Sequence, residues 1–365
     1  MRDVIEFSQL VEINPHTAVT GRSAPFIGME DVSEDGRLLN IRRRSFSDLS
    51  SGLSTFRDDD ILFAKITPCM ENGKGAHVVG MKSDAGLGST EFHVLRARRD
   101  VIPRYVFHWT QSKRFRRAAE AMMTGSAGQR RVPVEFFHRY TIPQFNFEEQ
   151  QRIVEILDAV DTRLARTREV LLGLERVLEG LMGSLADPRP EYAPRSWKVG
   201  PLGSFIQLQR GFDITVAEQR EGDVPVVSSS GITSYHDTPI VAGPGVVTGR
   251  KGKLGRVFYL DGPFWPHDTS LWVKRFGGNE PKFVALLLSM LRLERWDAAT
   301  SVPTLNRNSV HPVMVAIPDP VEQRRIINAV ESMEGRIRSE RMELSRVDAL
   351  RTGLMEDLLT GRVRV

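Results

Sequence analysis

One helical segment occurs twice in this chain, over residues 146–189 and again over residues 319–362. Aligned without gaps at an offset of 173 positions, the two copies share a set of identical residues. In the first copy these are Glu149, Gln150, Arg152, Ile153, Arg163, Arg168, Leu171, Gly180, Leu181, Met182, Leu185 and Arg189. Internal repetition fixes the architecture in which every shorter motif is interpreted, so the sequence predicts a pseudo-two-fold protein.

Both copies open with helix-start signals. Asn146 stands three residues before Glu149, and Asp319 is followed by Pro320 and Glu322. A short polar side chain can accept hydrogen bonds from the free N–H groups of a first turn, glutamate can reach back, and proline suits the first helical position. We therefore expect a capping box and a helix start at each place.

Along both copies, seam positions recur in alternating steps of four and three, which is typical of a coiled coil. The seam of the first copy is Ile153, Leu157, Val160, Leu164, Thr167, Leu171, Leu174, Leu178, Leu181 and Leu185. The seam of the second is Ile326, Val330, Met333, Ile337, Glu340, Leu344, Val347, Arg351, Leu354 and Leu358. These 33 residues per copy would form a rod on the order of 50 Å long. The ordinary alternative is an amphipathic helix packed on a local core.

A subset of these positions, with two glycines, forms the predicted coiled-coil and subunit interface. It consists of Ile153, Leu164, Leu171, Leu178, Gly180, Leu181, Ile326, Ile337, Leu344, Gly353, Leu354 and Leu358. Gly180 and Gly353 occupy the same place in the two copies, although glycine inside a helix costs about 1 kcal/mol relative to alanine. We therefore expect another backbone to approach closely at both glycines, where a partner helix or subunit could dock.

Composition narrows the class of protein. With 365 residues and 41% apolar content, the chain predicts two or three folded domains. The longest apolar run, residues 283–291, is too short to cross a bilayer, and no signal peptide is evident, so we predict a cytoplasmic protein with no membrane span. The single cysteine, Cys69, excludes an internal disulfide framework. A net charge of +4 permits nucleic-acid binding without establishing it.

Residues 1–145 (module 1) and 190–318 (module 2) lack the heptad pattern and contain short strand-like runs broken by turn residues. We predict strands over residues 61–64, 224–227, 245–247, 256–259 and 270–273, and helices over residues 102–123 and 281–296. Residues 186–194 contain three prolines and predict a linker. The predicted fold is α+β: two α/β modules (1–145 and 190–318), each followed by one long helix (146–189 and 319–365).

The sequence contains no recognisable catalytic set. Phosphate-binding, paired-histidine and nucleophile-turn motifs are missing, and the histidines show no metal-ligand spacing. Asp58, Asp59 and Asp60 with Lys65 match a metal-dependent nuclease only weakly, because the acidic residue beside the lysine is missing. We therefore predict no catalytic residue, no metal ligand and no cofactor in this chain.

Three loops combine glycine or small residues with side chains that bind DNA: residues 248–256, residues 125–131 and residues 301–306, the last two at corresponding places. Arginine can read guanine and glutamine can read adenine through two hydrogen bonds. The predicted DNA-binding residues are Lys65, Gln129, Arg130, Arg131, Ser229, Arg250, Lys251, Lys253, Thr304 and Asn306. Basic clusters at residues 42–44, 96–99, 113–117, 130–131 and 250–256 could each reach phosphates. Ordinary loops and solvated surface remain the alternatives.

Over nearly its full length the chain resembles the specificity subunit of type I restriction-modification systems. The matching motifs are Ile142–Pro143 with Glu149–Gln150 and Arg152–Ile153, Ile317–Pro318 with Glu322–Gln323 and Arg325–Ile326, the C-terminal residues 357–363, and the blocks 224–232, 249–252 and 262–269. The two copies differ at their ends, where residues 186–189 read Ala-Asp-Pro-Arg and residues 359–362 read Leu-Thr-Gly-Arg.

The resemblance implies a non-catalytic subunit with two target-recognition domains that each read half of a split site in double-stranded DNA. It implies that the repeated helices form an antiparallel coiled coil and dock two modification subunits, which bind S-adenosylmethionine and methylate adenine. Restriction subunits would join and cleave with ATP and Mg²⁺. The competing hypotheses are a standalone nuclease or transferase, and a coiled-coil assembly scaffold whose modules bind protein.

Overall fold

A computed structural model of the protein describes residues 2–45, 52–81, 83–126, 128–296 and 303–365. The chain forms two compact units. Unit 1 comprises Met1–Glu169 and Met342–Val365, and unit 2 comprises Val170–Arg341. Module 1 therefore belongs to unit 1 and module 2 to unit 2, and each unit also contains a part of both long helices.

Unit 1 is built from short strands, three short helices and segments of the two long ones. Its strands are β1 (Val4–Glu6), β2 (Val11–Ile13), β3 (Ser23–Ile27), β4 (Arg42–Ser45), β5 (Ser54–Phe56), β6 (Ile61–Ala64), β7 (Gly75–His77), β8 (Gly86–Gly88), β9 (Phe92–Ala97) and β10 (Thr141–Pro143). Its short helices are α1 (Pro103–Gln111), α2 (Lys113–Ala121) and α3 (Glu135–Arg139). The first long helix, α4, spans Phe147–Leu185 and runs on into unit 2.

Unit 2 repeats this arrangement. Its strands are β11 (Lys198–Pro201), β12 (Gln207–Arg210), β13 (Val224–Ser228), β14 (Gly231–His236), β15 (Gly245–Gly249), β16 (Val257–Leu260), β17 (Trp265–Pro266), β18 (Ser270–Arg275) and β19 (Met314–Ile317). Its short helices are α5 (Leu202–Phe205), α6 (Pro281–Met290) and α7 (Arg307–Val310). The second long helix, α8, spans Pro320–Leu359.

The sheets of the two units have corresponding strand orders in the described residues, except that the second sheet has four strands in unit 1 and three in unit 2, where no strand corresponds to β5. In unit 1 they are β2-β9-β6-β7, β4-β3-β8-β5 and β1-β10, and in unit 2 they are β12-β18-β15-β16, β14-β13-β17 and β11-β19. The parallel pairs also match, because β3 pairs with β8 in unit 1 and β13 pairs with β17 in unit 2. The internal repeat predicted from the helices therefore extends through the strands of the modules, where the sequence had indicated only the corresponding loops 125–131 and 301–306.

The long helices are held by the apolar cores of both units. Ile153 and Leu157 of α4 lie with Leu358 and Leu359 of α8 in the core of unit 1. In unit 2 the core contains the first turns of α8, including Ile326 and Val330, and the partly buried Leu178, Leu181 and Met182 of α4 pack against it. Burial of these faces supplies the hydrophobic stabilisation that a long isolated helix lacks.

Ion pairs show the relative direction of the long helices within unit 1. Asp161 of α4 pairs with Arg351 of α8, and Arg163 pairs with Glu343. Since residue numbers rise along α4 as they fall along α8, the helices are antiparallel there. Within unit 2, Arg341 of α8 pairs with Glu175 of α4 at 2.7 Å. The antiparallel direction is thus confirmed in unit 1, while heptad packing in detail stays a prediction.

The predicted interface positions differ in how deeply they are buried. Ile153, Leu164, Ile326, Ile337 and Leu358 are buried, whereas Leu171, Leu178, Leu181, Leu344 and Leu354 are half-buried. Within the described part of this chain no backbone approaches the two glycines, so the docking of a partner helix or subunit there stays a prediction. Gly180 and Gly353 are exposed, and a Cβ built on either would meet no atom within 4 Å.

The five predicted strands correspond to β6, β13, β15, β16 and β18, and both long helices begin directly after their predicted cap residues. Asn146 accepts a hydrogen bond from the N–H of Glu149, whose carboxylate accepts one from the N–H of Asn146, so the first capping box is complete. Asp319 accepts from the N–H groups of Val321 and Glu322. Among the described contacts, no hydrogen bond runs from the N–H of Asp319 to the carboxylate of Glu322. Only half of the second predicted capping box is therefore present.

The predicted helix over residues 281–296 is too long. Helix α6 ends at Met290, and a separate 3-10 turn covers Leu293–Trp296. The break comes at Arg292, whose φ of +51° is left-handed and cannot continue an α-helix. The predicted linker has no helix or strand, but Ala186 is buried in the unit 2 core and the O atom of Pro188 accepts from the N–H of Ala316.

Two buried glutamines of the repeat join each module to a long helix. In unit 1, Gln150 accepts from the N–H of Ile102, before α1, and donates to the O atom of Phe145, both at 3.1 Å. In unit 2, Gln323 accepts from the N–H of Glu280, before α6, at 2.8 Å and donates to the O atom of Pro318 at 2.9 Å. The repeated Glu-Gln motif therefore satisfies backbone groups at two equivalent junctions.

We expect Gln150→Leu to lower the free energy of unfolding by about 2–4 kcal/mol, because it leaves a buried N–H and a buried C=O unsatisfied. Urea unfolding followed by circular dichroism measures this. The neighbouring Gln151→Leu is a matched control, since Gln151 is exposed and bonds only to Glu155 among the described contacts. Equal stability of the two variants would contradict the junction role.

Candidate nucleic-acid interface

Three segments of unit 1 meet at the end of β6. The N–H of Lys65, just after β6, donates to the O atom of Glu91, just before β9, at 2.9 Å. The N–H of Val132 donates to the O atom of Lys65 at 2.8 Å, and the N–H of Thr67 donates to the O atom of Arg130 at 3.0 Å. These bonds bring the predicted residues Lys65, Arg130 and Arg131 together.

Unit 2 repeats these bonds one for one. The N–H of Arg250, just after β15, donates to the O atom of Thr269 at 2.8 Å. The N–H of Leu305 donates to the O atom of Arg250 at 2.8 Å, and the N–H of Gly252 donates to the O atom of Pro303 at 2.9 Å. Lys65 thus corresponds to Arg250, Glu91 to Thr269, and Val132 to Leu305.

The offset between Val132 and Leu305 is 173 positions, the same as between the two helical copies. The structure therefore agrees with the prediction that residues 125–131 and residues 301–306 occupy corresponding places. Three residues of those loops, Ala127, Ser301 and Val302, lie outside the described part of the chain. Whether any of these side chains contacts DNA stays a prediction.

In unit 1 the interface is organised around one carboxylate. Arg131 donates to Glu91 from Nε at 3.0 Å and from Nη2 at 2.7 Å. These hydrogen bonds from Arg131 hold the pKa of Glu91 below its usual value. Lys65 is half-buried, and burial lowers its pKa. Arg130 lies 3.5 Å from Glu71, and Gln129 is exposed.

In unit 2 the side chain of Arg250, whose contact with DNA stays a prediction, is turned inward. Its side chain is only 15% exposed, because Nε donates to the O atom of Asp268 at 2.8 Å and Nη2 lies 3.5 Å from the Asp268 carboxylate. Burial lowers the pKa of Arg250. The residue therefore holds the loop before β18 in place.

The other predicted residues of module 2 differ in how far they are exposed. Ser229 is buried and its N–H faces the hydroxyl of Thr269 at 3.4 Å, so its contact with DNA stays a prediction. Lys251 and Lys253 are exposed. Thr304 is half-buried and its backbone bridges to Lys251. Asn306 is exposed, and its side chain caps α7 by accepting from the N–H of Asn308 at 2.9 Å.

Several arginines that the sequence placed in basic clusters prove to be structural. Arg116 is buried, donates to the O atoms of Met70 and Gly73, and has its pKa lowered to about 9 by burial. It fixes the turn that follows the Lys65 loop. Arg96 donates to the buried carboxylate of Asp60 at 2.7 Å. Charge counting missed this, because nothing local in the sequence distinguishes a buried arginine from an exposed one.

A buried histidine supports the loop of unit 1 from behind. His93 lies 2.8 Å from the O atom of Val132 through Nε2 and 3.2 Å from the Asn14 amide through Nδ1. Burial lowers its pKa to about 4, so the ring is neutral at pH 7. A neutral ring that donates from Nε2 to Val132 and accepts at Nδ1 from Asn14 satisfies both contacts.

Two groups in the described part of the chain place His and Asp ligand atoms within 4.8 Å of one another: His108 with Asp158 and Asp161, and Asp213 with His267 and Asp268. Arginines already pair with three of these four carboxylates. Arg104 lies 2.7 Å from Asp158, Arg351 pairs with Asp161, and Arg210 lies 2.9 Å from Asp268. We assign no metal to either group.

No helix in the described residues has an apolar stretch capable of crossing a bilayer.

Comparison with known proteins accounts for this architecture. Residues 17–176 and 194–348 match the family described as the type I restriction modification DNA specificity domain. The chain belongs to this family and contains the DNA specificity domain twice.

Among curated relatives, the EcoAI specificity subunit of Escherichia coli is 35% identical over 189 residues, and the EcoEI specificity subunit of the same organism is 34% identical over 192 residues. These alignments cover 49% and 50% of this chain and 32% of each relative. The matched stretch thus spans about a third of the length of each of these curated relatives.

Solved structures share the fold over almost the whole chain. A chain from a structural study of complex assembly and conformational transition of the type I R-M system aligns with a TM-score of 0.65 at 17% identity, covering 99% of this chain and 98% of that one. The S subunit of M. genitalium gives 0.59 at 15% identity, covering 98% and 96%. The HsdS subunit of Thermoanaerobacter tengcongensis gives 0.54 at 17%, covering 99% and 97%.

We expect the stability of unit 1 to fall as pH drops from 6.5 toward 4. The unfolded chain binds a proton at His93 in this range while the folded chain does not, so stability present above pH 6.5 is lost, by about 3 kcal/mol at His93. His77 and His108 add slopes of the same sign, because burial lowers their pKa values too. Urea unfolding across this range should show a shallower slope for His93→Gln. The exposed His138→Gln should keep the wild-type slope.

We expect Arg250→Ala to destabilise the protein by about 1–3 kcal/mol, because it removes the hydrogen bond to the O atom of Asp268. The adjacent Lys251→Ala should change stability by less than about 0.5 kcal/mol, since Lys251 is exposed. Thermal unfolding of both variants measures the difference. If Arg250→Ala were as stable as Lys251→Ala, the loop-holding role of Arg250 would be wrong.

Proposed function

We propose that this chain is the DNA-recognition subunit of a type I restriction-modification complex and reads a site in two parts, one with each module. The observation that carries the proposal is the one-for-one repetition of the loop bonds at Lys65 and Arg250 in two modules of the specificity-domain family. Two equivalent readers in one chain suit a bipartite site in double-stranded DNA.

Exposed donors at the ends of these loops support DNA binding. Lys251 and Lys253 project from the loop after β15, and Gln129 and Asn306 lie on the corresponding loops of the two modules. Lysine contacts phosphates as a compact charge, while amide side chains can read base edges. The low net charge of +4 is consistent with a subunit that binds DNA together with partners.

The chemistry is assigned to partner subunits. We propose that two modification subunits dock on the repeated helices, bind S-adenosylmethionine and methylate adenine, and that restriction subunits cleave with ATP and Mg²⁺. This chain would itself be non-catalytic, hold no cofactor and act in the cytoplasm. The names of the EcoAI and EcoEI specificity subunits support this assignment, as does the solved assembly of a type I system.

Methylome sequencing of host DNA, with the gene present and deleted, tests the proposal. The expected result is a split motif with methylated adenine that disappears on deletion. If the motif were unchanged, purification of the full chain with its co-expressed partners would decide the matter. A chain that captures no methyltransferase would favour a scaffold of another kind, and turnover of DNA by the purified chain alone would favour a standalone enzyme.

We expect replacement of both Lys251 and Lys253 by alanine to weaken DNA binding about equally for all sequences. Loss of two phosphate contacts should make the slope of log affinity against log salt shallower by about 2. Fluorescence anisotropy of the complex on duplex DNA at several salt concentrations measures this. Lys274→Ala is the control, since Lys274 is exposed near the far end of β18, and an unchanged slope in the double variant would contradict the phosphate role.

A further inference from the structure

Arg131, held in place by Glu91, has the geometry of an arginine that can read a base edge. One edge of the guanidinium, Nε with Nη2, is bound to the carboxylate at 3.0 and 2.7 Å. Nη1 donates to the O atom of Gln129 at 3.2 Å. Since a guanidinium has five N–H groups, two remain, one on each Nη nitrogen.

Those two N–H groups are available to a ligand. The Arg131 side chain is 43% exposed and Glu91 is 24% exposed, so the arginine is the more accessible partner of the pair. A side chain fixed along one edge loses little further rotamer freedom when its other nitrogens bind. Two donors held in one plane match the O6 and N7 acceptors that guanine presents in the major groove.

The neighbouring cations are less suited to this task. Lys65 is half-buried and has a single nitrogen, so it cannot hold two donors in one plane. Arg130 lies 3.5 Å from Glu71, which is a longer contact than the two bonds that fix Arg131. Glu91 faces two cations, Lys65 and Arg131, so the cluster carries one net positive charge and can approach DNA. The carboxylate is ionised, as the pair requires, because Arg131 holds its pKa low.

We propose that Arg131 reads a guanine in the half-site of module 1 and that Glu91 is its positioning residue. The inference rests on the proposed DNA-recognition function. Module 2 has different chemistry at the same place: backbone bridges pair Ile66 with Arg131 and Lys251 with Thr304, so Thr304 stands where Arg131 stands. Thr269 stands where Glu91 stands. The guanine therefore belongs to one half-site only.

Selection of randomised duplex DNA by the full chain in complex with its co-expressed modification subunits tests the inference. Arg131→Ala should lower affinity for the wild-type site about ten- to hundredfold and remove the preference for guanine at one position of one half-site. Arg131→Lys keeps the charge and should recover part of the affinity without the guanine preference. Glu91→Gln should weaken the preference at that same position, by a smaller factor.

The second half-site and the control separate reading from folding. The half-site of module 2 should stay unchanged in every Arg131 and Glu91 variant, and Arg57→Ala, in the exposed turn before β6, should bind as the wild type does. Circular dichroism melts establish that each variant is folded. If the wild-type complex selects a bipartite site and both Arg131 variants keep every base preference, the guanine assignment fails while the proposed function stands. If the wild-type complex selects no bipartite site, both fail.

Discussion

The architecture depends on burial of the long helices against the modules, and each junction is locked by one glutamine amide. Gln150 and Gln323 each accept from the backbone N–H before a module helix and donate to a carbonyl before their own helix. Both amides are buried, so an unmade bond would leave a polar group away from water. The loops at Lys65 and Arg250 are therefore carried by modules that are each fixed to a long helix.

The repeat has a chemical consequence at the interface. Equivalent backbone bonds place Lys65 and Arg250 at the same point of the fold, after the strands β6 and β15. The side chains that surround them differ, with Glu91 and Arg131 in module 1 and Thr269 and Thr304 in module 2. A common backbone frame with different side chains presents different donors and acceptors at the same point of the fold, which is what the proposed reading of two different half-sites requires, since base edges are distinguished by donors and acceptors.

Charge in the sequence was an unreliable guide to function. Of the basic residues in the predicted clusters, Arg116 and Arg250 are turned inward onto carbonyl oxygens, and Arg96 is paired with a buried carboxylate. Buried guanidinium groups of this kind organise loops, because several N–H donors in one plane can join distant backbone segments. The exposed Lys251 and Lys253 are among the cations that remain accessible to a ligand.

The sequence by itself determined the repeat, the helix starts at Asn146 and Asp319, the approximate positions of the five predicted strands and the correspondence of the loops before Val132 and Leu305. These follow from periodicity and capping, which are local properties. Only the tertiary structure decided that Arg250 folds onto Asp268, that Gly180 and Gly353 face open space, and that Glu91 supports Arg131. Glu91 and Arg131 are 40 residues apart, and a contact at that separation depends on how strands and loops pack, which no local pattern encodes.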